Sequence, residues 1–167
     1  MLTKFFAAQL DREAEITRRV LDQVPAGQHE WKPHEKSTTF GYLAFLTASM
    51  PSWVEMEIAR DQLDLNPPGG GPPRPRLDLT AAELRKMHDD AVTKALAALA
   101  ATTDTHLKTS WQLLVGGRVV SELPREVVIA DTIAHLAHHR GQMTVYLRLL
   151  GAKVPSIYGP SADDRPF

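Results

Sequence analysis

Four long apolar-periodic segments, set apart by proline- and glycine-bearing breaks, constrain this chain more than any other feature. Stripes of that kind are buried only by packing one segment against another. In the first, residues 3–23, Phe6, Leu10, Ala14, Thr17 and Leu21 recur at helical spacing before Pro25 and Gly27 end the run. The second, residues 38–63, carries Phe40, Leu43, Ala44, Thr47, Trp53, Val54 and Ile58. Pro51 lies inside it, where a missing N–H and a ring clash predict a kink or local break. The third begins at Thr80, whose Thr-Ala-Ala-Glu83 sequence fits a capping box, and continues to about Ala101 through Leu84, Ala91, Ala95 and Leu99. The fourth opens after Pro124, with Glu126 complementing its dipole, and runs to about Leu150, where Gly151 is a natural stop.

The connections are less regular. Asn66 to Pro75 is a proline- and glycine-rich loop. Trp111, Leu113, Val115, Gly116, Gly117, Val119 and Val120 fit either a short hairpin or an irregular cover. Together these signals predict an all-α fold, a four-helix bundle with long connections, as a single domain over residues 1–167.

Composition removes several function classes. Nineteen basic against 20 acidic residues give a formal net charge of −1, so the electrostatic footprint of a nucleic-acid binder is missing. The absence of cysteine excludes disulfides, zinc thiolate sites and cysteine nucleophiles. Met1 to Phe6 leads directly into Gln9, Asp11, Arg12 and Glu13, which leaves no secretory apolar stretch, and no segment reaches membrane-spanning length. The chain is expected to be soluble and cytoplasmic, with no membrane partner.

The fourth segment carries the strongest chemical lead. Asp131, His135 and His139 are four residues apart, about one helical turn per step, so they share a face with Gln142 and Tyr146. Neutral imidazoles stacked this way offer nitrogen ligands to a transition metal or a proton-relay stripe. Asp131 is placed to orient a ring. Arg140 and Arg148 flank the stripe, and Arg140 is a candidate clamp for an anionic substrate group. The plainer alternative is that these histidines are core residues satisfied by hydrogen bonds.

Outside the stripe, His34 reads as a loop residue near a helix entrance, His88 as part of a solvated helix face, and His106 as an exposed connector. Trp31, Trp53 and Trp111 either line a pocket or seal the ends of the bundle core, with core packing the default for aromatics at such spacings. Ser110 and Ser161 lack a nucleophile signature, and Gly69 to Gly71 do not form a phosphate loop.

The run His135-Leu-Ala-His-His139-Arg140-Gly141-Gln142, followed by Tyr146-Leu147-Arg148, Gly151, Val154-Pro155 and Tyr158-Gly159-Pro160-Ser161, resembles the DinB-like (DinB/YfiT-like) family. Trp31 to Ser37 also looks like that family's entry into its second helix, so the likeness spans most of the chain. The resemblance implies an up-up-down-down bundle, a homodimer, and a divalent metal (Zn, Ni, Mn or Fe) held by three histidines. Two of these map onto His135 and His139. The third maps onto Leu46, which cannot ligate a metal. The family also implies two kinds of chemistry, metal-dependent hydrolysis or thiol-dependent transfer on a small-molecule substrate. Arg140, Gln142 and Tyr146 would then contact substrate, with Asp131 behind the ligands. The competing expectation is a non-enzymatic dimer that binds a small molecule or partner around a degenerate metal site.

Overall fold

The computed structural model describes residues 1–71 and 73–165; Pro72, within the expected 66–75 loop, lies outside the described residues. Six helices are formed: α1 (Leu2–Leu21), α2 (Phe40–Ser49), α3 (Pro51–Ala59), α4 (Ala81–Ala101), α5 (Asp104–Leu107) and α6 (Arg125–Leu149). Three strands, β1 (Gln62–Asp64), β2 (Ser110–Val115) and β3 (Arg118–Pro124), form one sheet in the order β1-β2-β3. The expectation of an all-α four-helix bundle is therefore corrected to a mixed α/β fold.

The long helices follow from the sequence pattern. In α1, Phe6, Leu10, Ala14, Thr17 and Leu21 are all buried. The Thr80–Glu83 capping box forms in full: the Thr80 hydroxyl accepts from the Glu83 N–H, and the Glu83 carboxylate accepts from the Thr80 N–H at 2.8 Å. Pro51 divides the second segment into α2 and α3, occupying the first turn of α3 where its missing N–H is least costly. Met50 keeps helical dihedrals (φ −57°, ψ −34°), so the axis is interrupted without a sharp turn.

The second segment was expected to continue as helix to Leu63, but α3 ends at Ala59 and Arg60 is extended. Leu63 belongs instead to β1, which runs parallel to β2 with Leu63 opposite Leu113. β2 and β3 form the antiparallel hairpin that the sequence had left open. Gly116 (φ 61°) and Gly117 (φ 78°) supply two consecutive left-handed residues, the requirement of a two-residue hairpin turn that matches strand twist. Asp64 holds this turn from outside, accepting the N–H groups of Gly116 (2.9 Å) and Gly117 (2.7 Å). β1 escaped a helix-based reading because it is three residues long and pairs with distant chain.

The core has two main parts. One gathers Val20, Leu21, Phe40, Leu43, Leu84, Met143 and Leu147; the other gathers Phe6, Leu10, Val54, Leu99, Leu107, Ile129 and Ile133. Among the described residues no helix is long and apolar enough to cross a membrane.

His88 corrects another expectation. It is fully buried, with its ring against the backbone of Ala14 and Ala48 but closing a hydrogen bond to neither. Burial pushes its pKa down to about 4, with Arg18 adding to the depression and Asp89 opposing it. The folded state thus holds His88 neutral while an unfolded chain protonates it near the ordinary value of about 6.5. Between those values the unfolded state binds more protons, so stability is complete above pH 6.5 and falls as pH drops toward 4. The expected slope is about 1.4 kcal/mol per pH unit, measured by urea denaturation, and His88→Leu should remove it.

Candidate functional site: an imidazole pair beside an apolar cleft

Helix α6 brings His135 and His139 together as their spacing requires. Their Nε2 atoms lie 2.8 Å apart, and their ring centroids 4.5 Å apart. His139 Nδ1 bonds Gln142 Oε1 at 2.7 Å. Since that amide oxygen can only accept, Nδ1 carries the proton, Nε2 of His139 is the acceptor, and Nε2–H of His135 donates to it. This tautomer assignment follows from the hydrogen-bond pattern. His138 completes a cluster, its ring 5.1 Å from that of His139, and Trp53 meets His135 edge-on at 5.7 Å. Partial burial lowers the His135 pKa, and the neighbouring His139 and His138 add to that lowering.

The two converging Nε2 atoms have the right chemistry for a metal, but the rest of the donor set does not complete a site. Leu46, on α2, offers neither nitrogen nor oxygen from its side chain. Among the described residues no group of three or more His, Cys, Asp or Glu side chains is arranged to hold an ion. A three-ligand catalytic centre therefore does not fit these residues.

Several expected site residues are placed elsewhere. Arg140 points away from the imidazoles into the interface with α1. It is 1% exposed and pairs with Glu13 Oε2 at 2.6 Å, and it also bonds the Glu13 carbonyl, Thr17 and the Tyr158 hydroxyl. Tyr158 itself donates to Glu13 at 2.7 Å, which ties the C-terminal tail to the same pair. This guanidinium is a structural tie in the described structure, and its donors face no open cleft. Tyr146 stacks on Phe40, meets Trp31 edge-on and bonds the Thr38 carbonyl just before α2. Gln142 orients the His139 ring. Asp131 is exposed four residues before His135, but the ring hydrogen bonds go to each other and to Gln142. His106 is half-buried and bonds the Ile58 carbonyl at 2.9 Å, rather than standing in solvent.

Next to His135 opens a cleft of about 480 Å³, with Trp53, Met56 and Glu57 from α3, Leu63 and Leu65 around β1, Trp111 and Leu113 from β2, and Val128, Asp131, Thr132 and His135 from α6. The volume is in the range of small-molecule sites, and the wall is mostly apolar. Glu57 is its chemical centre. It is 3% exposed; Oε1 accepts from the Thr132 hydroxyl at 2.6 Å, while Oε2 is buried without a partner. Burial raises its pKa to about 8 against the lowering effect of Thr132, with nearby Asp131 adding a smaller increase. The Trp111 indole nitrogen is also buried and unpartnered. Sequence reasoning missed Glu57 because a lone glutamate on a helix looks solvated. The one available signal was its place at i+3 from Val54, on the stripe that faces inward.

The fold and site define a mixed α/β domain with an imidazole pair at a cleft, and the chain belongs to the DinB family, whose model matches residues 1–165. Two solved structures share the architecture. A DinB-like protein from Bacillus cereus ATCC 10987 aligns with a TM-score of 0.68 and 23% identity, covering 92% of this chain and 95% of that one. The DinB-like protein YjoA from Bacillus subtilis aligns at 0.67 with 15% identity, covering 96% and 99%. Among curated proteins, the uncharacterized protein YrdA of Bacillus subtilis (strain 168) is 44% identical over 43 residues, a match spanning about a quarter (26%) of each chain.

Two consequences can be measured. Removing one member of a buried ion pair leaves the other charge uncompensated, so Arg140→Met should cost about 3 kcal/mol or more in urea denaturation. Adding Glu13→Leu should recover most of that loss. For Glu57, the folded state binds a proton that the unfolded state releases between pH 4.5 and about 8. Its contribution is therefore complete below pH 4.5 and is lost as pH rises through 8, at about 1.4 kcal/mol per pH unit. Glu57→Gln should flatten that part of the stability profile.

Proposed function

We propose that this DinB-family protein binds a small molecule in the Glu57 cleft, with the His135–His139 pair at the rim of that site. One observation carries the reading: a mostly apolar cleft of about 480 Å³ is lined by Glu57 and Trp111, whose Oε2 and Nε1 atoms are buried without partners. Buried polar groups without partners are uncommon in folded proteins, and beside a cleft a ligand or bound water can complete their hydrogen bonding. The hydrogen-bonded imidazole pair contributes a polar edge next to Trp53. Leu46 supports recognition over metal-dependent hydrolysis or thiol transfer, since the metal reading has two imidazoles and lacks its third protein ligand.

The metal reading retains one specific support, the convergence of the two Nε2 atoms. Measuring metal content and Zn²⁺ and Ni²⁺ affinity on tag-free protein separates the two. The recognition reading expects substoichiometric metal in the purified wild type and a gain on the order of tenfold or more in affinity for Leu46→His, which restores a third donor. Stoichiometric metal in the wild type that His139→Ala removes would overturn it in favour of a metal centre.

A further inference from the structure

Resting on the cleft reading above, we infer that the ligand is a lipophilic organic amine, bound as its ammonium against the Glu57 carboxylate between the indoles of Trp53 and Trp111. The charges of the wall favour this class. Glu57 and Asp131 are acidic, and among the described residues no lysine or arginine lines the cleft. An anionic head group would meet Asp131 and find no cation. A purely apolar ligand would leave Glu57 Oε2 as it now stands, buried and unpartnered. An ammonium gives that oxygen a charge-assisted donor, while Thr132 continues to hold Oε1 at 2.6 Å.

The surroundings suit a cation in other ways. The indoles of Trp53 and Trp111 offer electron-rich faces, which attract ammonium groups most strongly where water is excluded. Met56, Leu63, Leu113 and Val128 provide the apolar wall for the ligand's hydrocarbon part. A free amine entering beside the protonated acid takes the proton from Oε2: one O–H bond breaks and one N–H bond forms, leaving a carboxylate–ammonium pair. The buried Trp111 N–H remains available for an oxygen on the same ligand.

The test uses the full chain at about pH 8, where aliphatic amines remain largely cationic. Three probes of similar size, phenethylamine, 2-phenylethanol and 3-phenylpropionate, are titrated by calorimetry and tryptophan fluorescence. The amine is expected to bind roughly tenfold more tightly than the alcohol, and the anion most weakly. Glu57→Gln should bring amine and alcohol affinities together, with folding checked by circular dichroism. Asp131→Asn, at an exposed position, provides a second variant and should weaken the amine by about threefold. Equal binding of amine and alcohol by the wild type, tighter binding of the anion, or an amine preference that survives both substitutions would overturn the amine assignment and leave the cleft as a binding site. Saturable binding by none of the three probes would overturn the cleft reading itself.

Discussion

The guanidinium of Arg125 is the tie on which the cleft depends. At 1% exposure it stands at the first turn of α6, where no helical hydrogen bond is available to order the chain. Nε donates to the Glu57 carbonyl at 3.0 Å, Nη1 to the Ser110 carbonyl at 2.7 Å and to Thr109, and Nη2 to the Arg60 carbonyl at 3.1 Å and to Asp61. One side chain thus joins the end of α3, the start of β2 and the start of α6, all of which supply cleft walls. Arginine suits this position because its planar fork carries five donors and keeps its charge. Lysine could satisfy fewer of these acceptors, and each abandoned carbonyl would be left buried without a partner.

A second buried arginine works in the same way at the other side of α6. Arg140 and Glu13 fix the helix to α1, and Tyr158 draws the tail over them with its ring 5.2 Å from the guanidinium carbon. The outcome is a division of labour along one helix. The face carrying Arg140 is devoted to the fold, whereas the His135–His139 face is open to solvent and the cleft. Neighbouring residues about 100° apart on a helix can therefore serve unrelated purposes, which is why Arg140 does not share the site of His139 despite adjoining it in sequence.

Local rules made much of the molecule legible from sequence. The stripe beginning at Phe6, the Thr80 capping box, the break at Pro51 and the i,i+4 imidazole pair each arise from interactions within a few residues. What escaped prediction depends on distant chain. β1 exists because Leu63 meets Leu113 across about 50 residues, a separation that periodicity does not encode. His88 looked solvated in the company of Lys86, Asp89 and Asp90, and its burial is decided by where α1 and α2 cross α4. Glu57 is similar: a glutamate's cost of burial is visible only after Thr132 and the sheet surround it. The cleft is thus the least local part of the structure.

The contact between Asp64 and the hairpin turn bears on how the chain assembles. The two backbone N–H groups form a small anion-receiving concavity only after both glycines adopt left-handed dihedrals, so the turn must be made before Asp64 can dock. The contact spans 52 residues of sequence, so making it carries the entropy cost of closing a long loop. Asp64 adds a side-chain anchor to the backbone pairing that sets the register of β1 on β2. The outer lip of the cleft therefore rests on the shortest of the described strands, held by partners about 50 residues away in sequence.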